Sequence, residues 1–389
     1  DVPVVAATVV ENHSDVPAAP AEASKSCEAT TALATADEAI RECNGLIGRG
    51  DVFNAERVLM DAVDKITGDT GSDPEVRNAA LERLRQSPAY QSTIALLKKY
   101  EEAVANVLAP ADDAAAQWTK SADVSINYKG LEMELSTEAD KLLTNEDRTF
   151  PIYWRPSKDK KSFEVRFGAV LPTQPANVTK PVTLGWVAMI NEIRLYNTWH
   201  PVIVGDGPKE LQPVGPYENL WHLMSKIVLL KLVQIQKVRM FFNHETGCHV
   251  LLIEELPPAN EAWKKHPAPS GYTPAPTSNT ITVVCAVQEH TTYFGAYIKS
   301  DGEKTIPNWL ISLVVSWIFP EMIRRLLRAG ARALKADGPH YPLIEADKQG
   351  IYAETQRLVD AGVRKAQQDE SSVRYGPQTM PPIDAVTKR

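Results

Sequence analysis

Residues 304–334 read KTIPNWLISLVVSWIFPEMIRRLLRAGARAL, and this stretch predicts a long amphipathic helix. Apolar residues recur at helical spacing from Leu310 to Ile318, and the stripe resumes after Pro320. Pro307 is typical of a helix start. The apolar run is too short to cross a bilayer, and arginines dominate the C-terminal half. The pattern therefore predicts a helix that lies over an apolar layer, or over a space that apolar cargo enters.

The composition indicates a folded protein with more than one unit. The chain has 389 residues, of which 43% are hydrophobic, and this is enough for two or three cores of ordinary size. The formal net charge of −7 argues against nucleic acid as a main partner, because phosphate binding needs a sustained basic field. The cysteines are widely spaced and form no CxxC pair, which excludes a disulfide scaffold and a zinc ribbon and favours a reducing compartment.

The sequence carries no membrane-spanning run. The nearest candidate, 220–235, is interrupted by His222, Lys226 and Lys231. Residue 1 is Asp rather than Met, so we expect a processed or truncated product. The expected location is cytoplasmic or peripheral to a membrane.

Changes in residue composition and periodicity along the chain predict four segments. Residues 1–33 read as a flexible lead-in, and 34–110 have helical spacing broken by GRGD at 48–51, which predicts a small helical bundle. Residues 112–336 are rich in strand-like runs with one helical insert, and 337–389 form a C-terminal extension.

The strand-like runs predict a sheet that is covered on both faces. In the run 280–290, Val283, Cys285 and Val287 point one way and Val284 and Ala286 point the other, and both sets are apolar. The order of strands, one helix, more strands and a long last helix suits an antiparallel sheet curved around that helix. The predicted fold class is therefore α+β, with the sheet domain preceded by an α-helical bundle.

Two motifs carry a resemblance to a known family. The segment 184–201, LGWVAMINEIRLYNTWHP, is followed much later by the IPNWL start of the last helix, and over about 112–336 the chain resembles the START (steroidogenic acute regulatory protein-related lipid transfer) domain family. The family's helix–Trp–Pro element would correspond to Ile190 through Trp199 and Pro201. The resemblance implies a helix-grip fold, in which an antiparallel sheet grips the last helix around a tunnel that holds one lipid.

The predicted function is non-enzymatic binding or transfer of one lipid, a phospholipid or a sterol, during transient contact with a membrane. Large aromatic residues on periodic faces are also common in ordinary cores, and an arginine within a strand is also common in an intradomain ion pair. The candidate ligand-binding residues are Trp186, Ile193, Trp199, Arg239, Val284, Trp309, Leu313 and Trp317. The candidate membrane contacts are Arg324, Arg325 and Arg328, although cations near a helix C-terminus also complement its dipole.

Two other functions stay open. The START-like unit can serve as a docking module without cargo, with protein partners held by the N-terminal bundle and the C-terminal tail. An enzyme would need polar groups that converge inside the cavity, and the candidates in the sequence are Glu192, Arg239, His249 and Glu289.

No catalytic constellation and no cofactor motif stands out. A metal site is not expected either. The candidates His244, Cys248 and His249 have no fourth ligand nearby, and the last two point to opposite faces of a strand.

Overall fold

The computed structural model describes most of the chain, with gaps between its elements. The described residues are 22–108, 118–131, 148–156, 161–172, 180–215, 218–227, 229–243, 248–275, 277–287, 291–302, 308–348 and 350–368.

Helices fill the N-terminal region, as the sequence predicts. Within the described residues these are α1 (Glu22–Gly48), α2 (Val52–Gly68), α3 (Pro74–Gln86) and α4 (Pro88–Leu108). The Asp51 carboxylate caps α2 by accepting from the Asn54 N–H, and Asp73 caps α3 in the same way through the Glu75 N–H. Helix α1 begins inside the segment that the composition predicts as a flexible lead-in. Small residues dominate its buried side, so the helices pack closely.

The rest of the chain is built on one antiparallel sheet. Its strands run in the spatial order β1-β2-β3-β10-β9-β7-β6-β5-β4, and the short β8 pairs in parallel with β6. The strands are β1 (Thr119–Ser125), β2 (Thr149–Pro156), β3 (Ser162–Pro172), β4 (Lys209–Gly215), β5 (Glu218–Ile227), β6 (Leu230–Asn243), β7 (Cys248–Glu255), β8 (Thr273–Pro274), β9 (Thr277–Val287) and β10 (Thr291–Gly302).

Helical segments connect and follow the strands. The predicted insert forms α5 (Thr183–Asn191) and then a 3₁₀ turn (Ile193–Thr198). The predicted last helix runs from Asn308 to Ala333, and we call it the closing helix. It consists of α7 (Asn308–Leu313), one π-helical turn (Val314–Ile318) and α8 (Phe319–Ala333). The remaining segments are the 3₁₀ turn Lys129–Leu131, α6 (Glu261–Lys265), α9 (Tyr341–Ala346) and α10 (Ile351–Gln368).

Different helices cover the two faces of the sheet. On one face, which we call the bundle face, the Tyr100 ring of α4 lies 5.9 Å from the Phe241 ring. Val250 and Val284 are directly opposite Phe241 in the register, so they share that face. On the other face, the grip face, Trp186 of α5 lies 6.3 Å from Phe294. The sequence prediction of a sheet covered on both sides is confirmed.

The closing helix crosses α5 at two glycines on the grip face. A Cβ atom at Gly185 would lie 2.5 Å from the carbonyl oxygen of Gly330, and a Cβ atom at Gly330 would overlap the ring of Trp186. The two backbones therefore approach closely only because both positions lack side chains. With the strand order and the helices on both faces, this crossing confirms the predicted α+β helix-grip fold preceded by a helical bundle.

Candidate functional site

An aromatic layer fills the space between the grip face and the closing helix. The ring centre of Phe150 lies 6.5 Å from those of Phe167 and Phe294. The ring centre of Phe319, on the closing helix, lies 6.1 Å from that of Phe167. Trp186 completes the layer and is fully buried. Edge-to-face and tilted contacts of this kind are the favourable arrangements for aromatic pairs. The layer is an apolar wall of the kind that a hydrophobic ligand would need.

The closing helix presents one apolar side to this layer. Ile311, Val315, Ile323 and Leu327 are buried, in keeping with the stripe read from the sequence. The π-helical turn interrupts the helix directly before Pro320. Such turns are often found at functional sites, and they let one part of a helix shift relative to the next. The turn therefore lies next to Pro320, where the apolar stripe of the sequence is interrupted.

Buried polar groups in the same apolar core lack hydrogen-bond partners. Within the described residues, the indole N–H groups of Trp186, Trp199 and Trp221 are buried and donate to nothing. Trp221 is directly opposite Gln236 in the register, which places it on the grip face. An unpaired buried donor costs about 1–3 kcal/mol, so buried indoles usually find an acceptor. The core that includes the layer thus retains indole N–H groups that are free to donate hydrogen bonds.

A small cavity lies beside Trp221, and its volume is about 20 Å³. A space of this size has room for about one water molecule and not for a lipid. Its lining comes from the α5 segment and from β5, β6 and β7, and consists of Asn191, Ile193, Asn219, Trp221, Val238, Met240 and Leu251.

The C-terminal helix α10 returns to the grip face, a contact that the sequence analysis did not predict. The Thr355 hydroxyl lies 3.0 Å from the His249 Nε2, and both residues are fully buried. The Tyr352 hydroxyl donates to Glu192 at 2.9 Å. Burial, and then the nearby Glu192 charge, raise the pKa of Tyr352. The spacing of Ile351, Tyr352, Thr355 and Val359 was the available signal for a buried helix side.

The predicted ligand-binding residues divide into several groups. Trp186, Ile193 and Trp199 are buried in the core that includes the layer, and Leu313 of the closing helix is partly buried. The backbone of Trp309 belongs to α7, but its side chain lies outside the described residues.

Trp317 is placed outside the layer, which corrects the prediction that it forms the inner wall. Its side chain is 64% exposed, next to Ser316, whose hydroxyl lies 3.4 Å from that of Ser121 on β1. The π-helical turn changes the rotation per residue, so the predicted α-helical stripe does not continue through this position.

Arg239 and Val284 lie on the bundle face, which corrects the prediction that they line the same space as Trp186. Val284 is opposite Val250 under the bundle, and Arg239 donates its Nε–H to Glu218 at 2.7 Å. Burial alone would raise the pKa of Glu218, but hydrogen bonds and charge from Lys237 and Arg239 hold it below its usual value. The intradomain ion pair is thus the role that the structure gives to Arg239.

The arginines predicted as membrane contacts lie on the exposed side of the closing helix. Arg324 and Arg325 pair with Glu321 at 3.6 Å and 2.8 Å, and Arg328 is exposed. The hydrogen bond from Arg325 is the main effect and lowers the pKa of Glu321; burial opposes it, and the charges of Arg325, Arg324 and Arg328 lower the pKa further. Membrane contact by these residues remains a prediction.

The candidate polar groups for catalysis do not all lie on one face of the sheet. Arg239 lies on the bundle face, whereas His249 contacts α10 on the grip face and Glu192 accepts hydrogen bonds from Tyr352 and Arg194. Glu289 lies outside the described residues. The described parts of the chain contain no cluster of three or more His, Cys, Asp or Glu residues that could hold a metal ion.

The grip face has one buried carboxyl group that no sequence pattern indicates. Glu255 at the end of β7 accepts hydrogen bonds from the Asn279 side chain at 2.7 Å and from Gln234 at 3.0 Å. Burial is the main effect and raises the pKa of Glu255 to about 8, although these hydrogen bonds oppose the shift. The neighbouring Glu254 points to the bundle face, where it pairs with Lys99.

Comparison with known proteins gives structural similarity without sequence similarity. No protein-family model matches the chain, and no curated protein matches it. Among solved structures, the chain is similar to a STAR-related lipid transfer protein from Xanthomonas axonopodis, with 14% identity and a TM-score of 0.38 over 47% of this chain and 93% of that one. It is also similar to human STARD10, with 7% identity and a TM-score of 0.37 over 57% of this chain and 78% of the other.

A third similar structure belongs to an enzyme. The Zhui aromatase/cyclase from Streptomyces sp. R1128 has 11% identity and a TM-score of 0.32 over 46% of this chain and 99% of that one. Since all three TM-scores are below 0.5, the fold assignment rests on the strand order and helix packing described above.

Among the described residues, no helix has the length and apolar character needed to cross a bilayer.

Proposed function

We propose that the protein binds one lipid, a phospholipid or a sterol, between the grip face and the closing helix. The observation that carries the proposal is the set of buried, unpaired indole N–H groups of Trp186, Trp199 and Trp221 in an otherwise apolar core. A carbonyl, phosphate or hydroxyl oxygen of a lipid would accept from one of these donors, and its hydrocarbon would contact the aromatic wall. A lipid therefore matches both features of the layer.

The energetic demand on such a carrier is large. Each CH₂ group that leaves a bilayer for water costs about 0.8 kcal/mol, so a sixteen-carbon chain costs on the order of 13 kcal/mol. A carrier must replace the bilayer with an equally dry space. The aromatic layer supplies the dry walls, but the cavity of about 20 Å³ is too small for cargo. Uptake therefore requires the closing helix to move away from the sheet.

The π-helical turn Val314–Ile318 is the proposed part of the closing helix that leaves the sheet in this movement. It lies between two α-helical parts, and its exposed side includes Ser316 and Trp317. The Ser316 hydroxyl is 3.4 Å from that of Ser121, so this turn contacts β1 when the layer is closed. A covalent bond at this contact would hold the closing helix against the sheet.

A reversible disulfide between these positions tests the proposal. We expect a Ser121→Cys/Ser316→Cys protein, in a Cys27→Ser background, to lose uptake of a fluorescent phospholipid or sterol from vesicles when oxidised and to regain it on reduction. The buried native thiols should not interfere, because burial raises the pKa of Cys43, Cys248 and Cys285 and leaves little thiolate. The Ser316→Cys single variant is the matched control and should take up lipid under both conditions.

Native mass spectrometry of the purified protein provides the second measurement. A stoichiometric lipid adduct that Trp221→Phe weakens would support the proposal. A folded protein that carries no adduct and takes up no lipid in either redox state would refute it.

The second candidate function is docking of a protein partner without cargo, and two observations favour it. The described layer is nearly filled, and an open groove of about 610 Å³ lies on the bundle. Ile40 of α1 and Ala79 of α3 line this groove, and so do Arg83 and Asp37, which pair with each other. If Ala79→Glu removed the protein from a complex while the disulfide above had no effect on that complex, the docking function would be favoured.

Deleting the bundle would not test the docking function, because α4 shares a core with the sheet. Tyr100, Val104 and Val107 of α4 are buried in the same hydrophobic cluster as Val250 and Val284 of the strands. A deletion would expose the bundle face and unfold the domain, so point substitutions in the groove are needed.

Contact with a membrane would accompany lipid uptake, and we propose the exposed side of the closing helix for this role. Trp317, Arg324, Arg325 and Arg328 are exposed along it. Each arginine near an anionic surface contributes about 1 kcal/mol, and tryptophan favours the head-group region. We expect Arg324→Glu/Arg328→Glu to weaken binding to anionic vesicles, and unchanged binding would contradict this role.

A further inference from the structure

The C-terminal helix α10 covers one end of the grip face with a short buried side. Two of the residues on that side carry hydroxyl groups, and both hydroxyls are hydrogen bonded. Tyr352 donates to the Glu192 carboxylate, and the Thr355 hydroxyl contacts the His249 imidazole. The buried side consists of Ile351, Tyr352, Thr355 and Val359. Polar groups at this end of the grip face are therefore hydrogen bonded to a helix that follows the closing helix in the chain.

The same end of the grip face borders the small cavity beside Trp221. Asn191 lines this cavity, and its side-chain nitrogen lies 3.5 Å from the Tyr352 hydroxyl. Leu251 also lines the cavity, and it follows His249 by two positions on β7, so the two side chains are neighbours on the grip face. Helix α10 thus occupies space next to the cavity, and its departure would enlarge the cavity on a side where polar groups are present.

The start of α10 is capped by a residue that does not belong to the grip face. The Asp347 carboxylate accepts hydrogen bonds from the Tyr352 and Ala353 N–H groups, at 3.1 Å and 2.7 Å. Helix α10 keeps this cap when its hydroxyls lose their partners on the grip face. The preceding helix α9 is fixed separately, because Ile344 is buried in the main core. The chain therefore allows α10 to separate from the grip face as an intact helix while α9 stays in place.

The hydrogen bonds of α10 are of a kind that a lipid hydroxyl reproduces. Tyr352 presents a hydroxyl at the end of an apolar ring, and this hydroxyl donates to the Glu192 carboxylate. A lipid with a hydroxyl at its polar end offers the same donor, whereas a phosphate group would meet the negative charge of Glu192. On the basis of the proposed lipid site, we infer that α10 is an autoinhibitory occupant of that site, which a hydroxyl-bearing lipid displaces from Glu192 and His249.

Removal of the two hydroxyls, with the shape of α10 retained, tests the inference. In the full-length Tyr352→Phe/Thr355→Val variant, the closed form loses both hydrogen bonds, whereas the lipid-bound form loses neither, since lipid has replaced them. We therefore expect the variant to bind a fluorescent sterol from phosphatidylcholine vesicles about tenfold more tightly than the wild type does. The matched control is Thr93→Val in α4, which should leave binding unchanged. Thr93 is also fully buried, and like Thr355 it donates to the carbonyl oxygen four residues earlier.

Hydrogen exchange on the wild-type chain gives a readout that a purely structural helix would not move. With sterol bound, as checked by native mass spectrometry, we expect the amides of 352–360 in α10 to exchange about tenfold faster than in the lipid-free protein. The amides of 93–104 in α4 should not change.

Two results would overturn the inference and leave the proposed lipid site standing: equal protection of α10 with and without bound sterol, or equal sterol binding by the wild type and the hydroxyl variant. Absence of sterol binding by both proteins would refute the lipid site itself, and the inference with it.

Discussion

Two carboxyl groups on opposite faces of the sheet have pKa values that are shifted in opposite directions. On the bundle face, Glu218 is surrounded by Lys237 and Arg239, and its pKa is held below the usual value. On the grip face, Glu255 has no cationic partner among the described residues, and burial raises its pKa to about 8. Buried indole N–H groups on that side also lack acceptors. Glu218 is therefore neutralised within the fold, whereas the grip face keeps a carboxyl group and indole donors that a ligand could satisfy.

From this contrast we expect the two faces to respond differently to substitution. On the bundle face, Glu218 is held by ion pairs with Lys237 and Arg239. The grip face joins α5 and the closing helix through close backbone approach and aromatic packing, which tolerate little added volume. The following predictions test this difference, beginning with the largest effect.

Gly330→Ala should lower the free energy of unfolding by about 3 kcal/mol or more, because its Cβ would overlap the Trp186 ring and the two helices cannot separate without opening the layer. Urea titration measures the change. Gly45→Ala is the control, because nothing lies within 4 Å of its Cβ position in α1, and it should raise the stability by about 0.5–1 kcal/mol. Equal effects of the two substitutions would contradict the close crossing.

Glu255→Gln should change the pH dependence of stability. The folded pKa of about 8 is above the value of the unfolded chain, so the contribution of Glu255 is fully present below about pH 4 and is lost as the pH rises through 8. The variant should therefore match the wild type at pH 4 and exceed its stability by on the order of 2 kcal/mol at pH 9. Thermal melts across this range measure the difference, and parallel curves would exclude the raised pKa.

Arg239→Met should destabilise the fold by about 1–2 kcal/mol, because it removes one of two cations from the largely buried Glu218. It should leave lipid uptake unchanged, since Arg239 lies on the bundle face. Arg83→Met, which breaks the exposed pair with Asp37, should have an effect near zero and serves as the control. Loss of uptake in the Arg239→Met variant would contradict a ligand on the grip face, because Arg239 lies on the bundle face.

Trp221→Phe should have the smallest effect on stability, under about 1 kcal/mol, because the lost N–H has no described partner. It should nevertheless reduce lipid occupancy in native mass spectra. Trp263→Phe provides the opposite case: its indole donates to the Leu256 carbonyl oxygen at 3.0 Å, so this substitution should cost about 1 kcal/mol and leave occupancy unchanged.

Much of the architecture was readable from residue patterns. The helical stripe of the closing helix, the breaker at 48–51 and the two-sided apolar strands each have a period that reports local structure. The short helix α6 was not readable in this way, although it buries Trp263 against Val233 and Ile235. A short amphipathic turn among prolines gives too weak a periodic signal to be recognised.

The candidate site was harder to predict than the fold. Trp186, Ile193 and Trp199 are buried in the predicted core, but Arg239 and Val284 lie on the other face and Trp317 faces outward. Alternation along a strand separates two sets of side chains without saying which set meets which helix. Glu255 and the indole donors carry no sequence signal, because an unpaired or protonated state depends on distant neighbours.

By itself, the sequence determined the order of elements, the two-sided sheet and the amphipathic closing helix, because these follow from local periodicity and from residues that start or stop helices. Only the tertiary structure decided the assignment of faces, the outward turn of Trp317 and the return of α10 to His249. These features depend on contacts between residues far apart in the chain. Such contacts are selected by packing and burial in the folded state, and no local pattern encodes them.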